Sequence, residues 1–336
     1  MIKLSATGGR FKKLSGLSAK IAPSHRWLVR ALIRAVSVVF CVVVAVFFII
    51  RIVPGDPAKM ILGQYATPQA IESMHHRLGL DLPIWEQFIR FVQNLVTHGD
   101  TGTSIVLGTS TRTLIAERAP VTLLLIAMAS LLAIIVSIVL ATVAATHKNG
   151  VLDHLIRILP TVTLGMPIFW VGLLLIIFLS VRLRWFPVGG VGQGLGGMLY
   201  SLMLPAITVA FAHIPTLVRS LRTQMLEVLE SDFVVTLKAA GIPNRVILVK
   251  HVLRNSALPA LMLLGVNISY LIGGTLVVEQ VFGIEGIGSL LFSAISNRDF
   301  PIIQGIALYC AISVEIISFL VEIASRFLDP RTKGEL

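Results

Sequence analysis

Six stretches of this chain, at about 28–52, 121–146, 158–181, 199–218, 255–278 and 300–327, are almost unbroken apolar sequence. A helix needs about 20 such residues to cross the roughly 30 Å hydrocarbon layer, and a spanning segment must satisfy its own backbone hydrogen bonds. The 336 residues are 55% apolar and only 13% charged, against roughly 25% charged in an ordinary globular domain. One core could not hide so much apolar surface. The chain reads as an all-α integral membrane protein with six transmembrane helices. The first span follows a long basic leader, and no small-residue cleavage site follows Ile50, so it reads as a retained span rather than a signal peptide.

Charge gives the orientation. A formal net charge of +11 would suggest nucleic acid in a soluble chain. Here the basic residues flank apolar spans, which is a topology signal and argues against a nucleic-acid partner. Residues 1–34 hold Lys3, Arg10, Lys12, Lys13, Lys20, Arg26, Arg30 and Arg34 with no acid. With the 147–157 and 219–254 loops and the C-terminal tail, one side holds 19 Lys and Arg. The short loops opposite hold 3, namely Arg182, Arg184 and Arg298. Both termini are therefore expected in the cytoplasm.

These spans divide the chain into a basic cytoplasmic tail (1–27), a first transmembrane helix (28–52), an extracytoplasmic helical segment (53–118), a five-helix core (119–328) and a short cytoplasmic tail (329–336). Within the extracytoplasmic segment, Thr67-Pro68 reads as a helix cap and first position. After Pro83 the pairs Ile84/Trp85, Phe88/Ile89, Phe91/Val92 and Leu95/Val96 recur at helical spacing. Trp185 and Phe186 suit an interfacial belt.

Most motifs that could carry chemistry dissolve. Gly192, Gly194 and Gly197 fit GxGxxG without a preceding strand or a following acid, and read as a flexible outer loop. The run LSGLS at 14–18 resembles part of an ATPase signature, but the chain has no GxxxxGK[ST] and is not expected to bind ATP by a P-loop. Cys41 and Cys310 lie in apolar runs and imply neither disulfide nor zinc. His147, Asp153 and His154 could meet a metal, but the histidines read as solvated loop residues. His75 and His76 are adjacent and poorly placed as a helical ligand pair. No metal site is expected.

Two sets of residues remain. Glu315 and Glu322 share a face of the last span, and His213 lies between Pro205 and Pro215 in the fourth. Charge at mid-bilayer costs roughly 2.5–3.5 kcal/mol, so these groups should face the bundle interior or an interface. They are candidate pathway residues, or structural hydrogen-bonding groups. The second set is cytoplasmic, an elbow at about 227–254. Residues 227–240 read as one helix ended by Gly241, and Pro243 starts another. That second helix sets Val246, Ile247, Val249, Val252 and Leu253 beside Arg245, Lys250 and Arg254. Such an element either docks into a partner or lies on anionic lipid.

At this elbow the chain resembles the inner-membrane permease subunits of ATP-binding-cassette importers in the dipeptide/oligopeptide/nickel family, and among them the first of two permease types. The resemblance runs from about 51 to 331. It is carried by RIVPGDPAKMILG, RLGLDLPIWEQF, HGDTGTS at 98–104, LPAITVAFAHIPTLVRSLRTQMLEVLESDFVVTLKAAGIPNRVILVKHVLRNSALPAL at 204–261, VVEQVFGIEGIGSLLFSAISNRDFPIIQG at 277–305, and LDPR. It implies a type I importer permease fold with an extracytoplasmic insertion after the first span, in a bacterial inner membrane. It also implies a second homologous permease, two ATPase subunits or one fused ATPase, and an extracytoplasmic solute-binding protein. ATP and Mg²⁺ are expected on the ATPase subunits; this chain itself is not catalytic and holds no cofactor.

The elbow matches the family's coupling loop, E-A-A-x3-G-x9-I-x-L-P. The resemblance gives the coupling role to Thr236, Lys238, Ala239, Ala240, Gly241, Ile242, Pro243, His251 and Arg254. The first three pattern positions fall on Val235, Thr236 and Leu237, and the final Leu-Pro on Leu253-Arg254; Ile284-Glu285 replaces the family's usual Trp-Pro. Short peptides are the solute implied, with nickel complexes, glutathione or other small solutes as alternatives. Outside the resemblance, a proton-coupled secondary transporter using Glu315, Glu322 or His213 and a non-transporting membrane scaffold stay open.

Overall fold

The computed structural model describes residues 24–52 and 56–328, and among them the architecture is entirely helical. The helices are α1 (Ser24–Ile52), α2 (Pro57–Leu62), α3 (Pro68–Leu78), α4 (Ile84–His98), α5 (Thr111–Thr146), α6 (Val151–Leu164), α7 (Ile168–Leu175), α8 (Gly194–Leu229), α9 (Asp232–Ala239), α10 (Asn244–Val246), α11 (Leu253–Val281), α12 (Ile287–Ser296) and α13 (Phe300–Leu328). Wide π turns extend α7 through Ile176–Arg182 and join α10 to α11 through Ile247–Val252. Most of the basic leader with its LSGLS run, the residues at 53–55 and the 329–336 tail with the end of LDPR lie outside the described residues.

Among the described residues, four helices are long and apolar enough to cross a membrane, over Val29–Phe48, Thr111–Thr146, Gly194–Leu229 and Phe300–Ile323. The expected 255–278 span falls inside the 29-residue α11. The expected 158–181 span is not one helix. It breaks between α6 and α7, where Pro167 has no N–H to donate and holds an extended ψ of 137°. Apolar composition hid that break.

The bundle is built on α5, α8 and α11. Ala129, Ala133, Ala141 and Ala145 of α5 are buried, as are Ala206 and Ala210 of α8, so the two backbones approach closely. Leu125, Ile126, Leu202, Leu204, Leu271, Phe282 and Ile284 fill one cluster there. Despite Pro205 and Pro215, α8 runs unbroken. The glycine run at 189–197 is fastened rather than free: the N–H of Gly190 donates to the Phe282 carbonyl at 2.9 Å, and that of Gly192 to Ser201 Oγ at 3.1 Å.

The segment after α1 folds as local signals dictate. Thr67 Oγ1 accepts the Ala70 N–H at 3.2 Å, and Pro68 opens α3. One apolar face of α4 lies against the end of α1, with Phe88 and Phe91 ring centroids 5.0 and 5.6 Å from Phe47. The Arg51 guanidinium covers the Phe47 ring at 3.4 Å and donates to Gln87 Oε1 at 2.9 Å. A second stripe of α4, Trp85, Ile89 and Val96, is exposed.

Candidate coupling site

The elbow is two short arms around a glycine. Ser231 adopts extended φ/ψ at the first position before α9, its hydroxyl donating back to the Val228 carbonyl, and Asp232 lies in the first turn. The expected single helix over 227–240 is therefore divided: α8 stops at Leu229 because Ser231-Asp232 is itself a helix-start signal. At the other end Gly241 has φ +76°. Its N–H donates to the Lys238 carbonyl at 3.0 Å and the Ile242 N–H to the Leu237 carbonyl at 3.2 Å. This is a Schellman closure, which needs a residue at ease in left-handed conformation. Pro243 is extended, and the chain re-enters helix at Asn244. The second arm does not end before the next span: it continues through the π turns of Ile247–Val252 into α11.

Each arm buries one face and presents the other. Val234, Ile247 and Val252 are buried with Val218, Leu221 and Met225 of α8 and Ala141 and Ala145 of α5, while Leu237 and Ile242 pack beside them. The outward face carries Phe233, Val235, Thr236, Lys238, Ala239, Ala240, Pro243, Arg245, Val246, Val249 and Lys250, all exposed. His251 is half-buried and Arg254 exposed. The structure thus sets all the expected elbow residues on one two-armed projection, apolar and basic together.

Charge pairs hold the base of this projection. Asp153, fully buried, accepts two hydrogen bonds from Arg222, from Nε to Oδ1 and from Nη2 to Oδ2, both 2.6 Å. It also accepts the Asn149 N–H at 3.0 Å. The Arg222 guanidinium holds the Asp153 carboxyl below the usual carboxylate range, against the opposing effect of burial. Lys148 pairs with Glu230 at the end of α8. Asp153, named with His147 and His154 as a possible metal ligand, is instead committed to Arg222. It sits in the first turn of α6, where a carboxylate suits both the helix N-terminus and a cation from α8.

The remaining candidates are separate. His213 Nδ1 lies 3.1 Å from Asn267 Oδ1, linking α8 to α11. Glu322 accepts from Arg34 Nη2 at 3.0 Å, linking α13 to α1. Glu315 is half-buried on α13. His213 thus meets Asn267 on α11 and Glu322 meets Arg34 on α1. No cluster of three or more metal-ligating side chains occurs among the described residues. His75 meets Asp56 at 2.8 Å and His76 meets Asp81 at 2.7 Å, so each of the adjacent histidines has its own carboxylate.

Among the described residues, the burial of three acids escaped the sequence reading: Asp153, Glu279 and Asp299. Glu279 accepts from Thr122 Oγ1 at 2.6 Å and from the N–H groups of Gly288 and Ser289 at 2.7 and 3.2 Å. Thr122 Oγ1 accepts the Ile287 N–H at 2.9 Å, so two side chains satisfy the first three donors of α12. A Cβ at Gly286 would overlap the Glu279 carboxylate. Asp299 accepts from Ser104 Oγ at 2.5 Å and from the Ile105 and Val106 N–H groups at 3.2 Å.

Comparison with known proteins decides the family. The model of the binding-protein-dependent transport system inner membrane component matches residues 137–334, which include the whole elbow. The companion model of the N-terminal part of such membrane components matches residues 24–126. This chain belongs to the binding-protein-dependent transport system inner membrane components. A putative peptide transport system permease protein of Brucella abortus is 36% identical, over 91% of this chain and 98% of its own length. The oligopeptide transport system permease protein AppB of Bacillus subtilis is 33% identical, over 91% and 98%. A chain of the MetNI methionine ABC transporter, solved in inward-facing conformations, superposes with a TM-score of 0.54 at 13% identity. That match covers 64% of this chain and 96% of the other, and shows a shared fold. As a family member this chain is a multi-pass component of a bacterial inner membrane.

Proposed function

We propose that this chain is the permease subunit of an ATP-driven importer of short peptides and forms half of the translocation pathway. The observation that carries the reading is the elbow, a glycine-closed two-armed projection with an exposed apolar and basic face whose second arm runs unbroken into α11. The peptide permease names of the Brucella and Bacillus relatives support the solute class. The chain crosses the membrane six times with both termini cytoplasmic, the segment at 53–118 outside and the elbow inside. Thr236, Lys238, Ala239, Ala240, Gly241, Ile242, Pro243, His251 and Arg254 form the seat of an ATPase subunit. ATP and Mg²⁺ bind on the partner ATPase subunits, which carry out the hydrolysis. A second homologous permease completes the pathway, and an extracytoplasmic binding protein delivers the peptide.

The mechanism follows from mechanics rather than from reacting groups. ATP binding draws two ATPase subunits together, and each carries a docked elbow. Because the second arm is continuous with α11, a rigid displacement of the elbow displaces that helix as well. A bundle with two packed arrangements then exchanges inward for outward access, by the amount that the ATPases bind the two states differently. Native mass spectrometry of the tagged chain, gently solubilised from its own host, tests this. A particle with a second permease and ATPase subunits is expected, and peptide released from a co-purifying binding protein identifies the solute. A homodimer or lone chain without ATPase overturns the reading.

A further inference from the structure

The tight turn between α5 and α6 is gripped at two points by α8, the helix that leads into the elbow. The turn is closed by the Gly150 N–H donating to the His147 carbonyl at 2.8 Å, with Asn149 at φ +63°. Arg222 of α8 holds Asp153 just beyond the turn, and Glu230 at the end of α8 holds Lys148 within it. The two grips are about 12 Å apart along α8 at the usual helical rise. A single contact would leave the turn free to pivot. Two contacts at that spacing fix its orientation on α8.

The two grips differ in kind. Lys148 and Glu230 are both well exposed, so their attraction is screened and contributes little to stability. Asp153 is fully buried, with both its oxygens committed to Arg222 and one also to the Asn149 N–H. Geometry of this kind fixes orientation, since a planar guanidinium and a carboxylate meet in only one plane. Its neighbours are the apolar residues that bury the elbow: Ile156 of α6 packs on the same cluster as Val234 and Ile247.

We infer that Asp153 and Arg222 are a positioning pair that makes the α5–α6 turn and the elbow one rigid body, so that elbow displacement drives α6 as well as α11. The inference rests on the coupling role proposed above and extends it to a second helix. Neither residue belongs to the exposed elbow face, Asp153 being buried and Arg222 nearly so, and the pair acts on transmission and not on docking of the ATPase.

Two variants of the assembled transporter test this in proteoliposomes, reading how far the co-purified binding protein stimulates ATP hydrolysis. In the first, Lys148→Cys and Glu230→Cys are joined by a short bis-maleimide, in a chain with Cys41 and Cys310 replaced by serine. If the turn and elbow move together, the cross-linked complex keeps native stimulation; arrest of stimulation by the cross-link overturns the inference. In the second, Asp153→Asn is expected to lower stimulation by about tenfold, within the usual range for a coupling contact, while ATPase subunits still co-purify. Unchanged stimulation overturns the inference. If Asp153→Asn fails to assemble, the cross-link alone decides. Absence of any ATPase from the native complex instead brings down the importer reading itself.

Discussion

Replacing Glu279 by alanine asks what holds the far end of α11 to α12. The buried carboxylate accepts one hydroxyl and two backbone N–H groups at 2.6, 2.7 and 3.2 Å. Alanine removes all three bonds and strands the donors at the start of α12. Hydrogen bonds to a charged group contribute about 1.5–3 kcal/mol each. The desolvation cost of the carboxylate, which alanine relieves, offsets several kcal/mol of that total. A net loss of about 3 kcal/mol is expected, at the upper end of ordinary substitutions. Glutamine keeps the length and one acceptor oxygen, and should lose about 1 kcal/mol. At roughly 2–4 °C per kcal/mol, Glu279→Ala should lower the thermal midpoint by about 6–12 °C and Glu279→Gln by about 2–4 °C. Heating in detergent followed by fluorescence-detected size-exclusion chromatography measures both. Native-like stability of the alanine variant would refute the idea that this cap fastens the bundle. Equal damage from glutamine would show that charge, not acceptor geometry, matters.

Three further outcomes are expected. Gly241→Asp places a side chain at φ +76° with a cost of about 1–2 kcal/mol; it should abolish ATP-driven uptake while membrane insertion, seen by protease protection, is unchanged. Gly265→Ala drives a methyl against Val321, whose Cγ1 and Cγ2 lie 2.6 and 2.7 Å from the added carbon. It should destabilise the α11–α13 contact by about 1–3 kcal/mol, read in the same heating assay. Burial pushes the Asp100 carboxyl up, but hydrogen bonds from Ser110, Thr111, Gly102 and Arg112 outweigh it and leave its pKa below the ordinary 3.8. The stability it contributes is therefore complete above that value and lost as pH falls through the lower folded value. Amide protection at 100–112, taken relative to the intrinsic exchange rate at each pH, should fall only under such acid, and Asp100→Asn should show the reduced protection at neutral pH.

What could be read from the residues was what short-range chemistry dictates. Thr67-Pro68 caps α3, the paired apolar residues of α4 lie on one helix, and Gly241 closes the elbow, because each signal acts within a few residues. The break at Pro167 was present in the sequence but masked by hydropathy, which registers composition and is blind to a missing N–H. The division of the elbow at Ser231 was masked likewise, since an apolar periodicity continues across it while the extended backbone of Ser231 interrupts the helix. The buried acids were out of reach for another reason. Asp153 finds its cation 69 residues away, Glu279 its hydroxyl 157 residues away, and Asp299 its hydroxyl 195 residues away. Nothing local tells a solvated loop aspartate from one that fastens two helices.

Those acids share a position, and the position has a mechanical meaning. Asp153 lies in the first turn of α6, Glu279 caps the first turn of α12, and Asp299 immediately precedes α13. Each fastens a helix start to a neighbour, where free N–H groups and the helix dipole favour a carboxylate. Asp153 acts just beyond the end of α5 and Glu279, through Thr122, in its first half, so this long core helix is held from both sides. Between those ends α5 and α8 interlock through small residues that leave little room to slide. A bundle fastened in this way is suited to move in rigid pieces, with rotation absorbed where the backbone itself is broken between α6 and α7. The carboxylates then define the pieces and that break the joint, which is the division of labour that an externally driven gate requires.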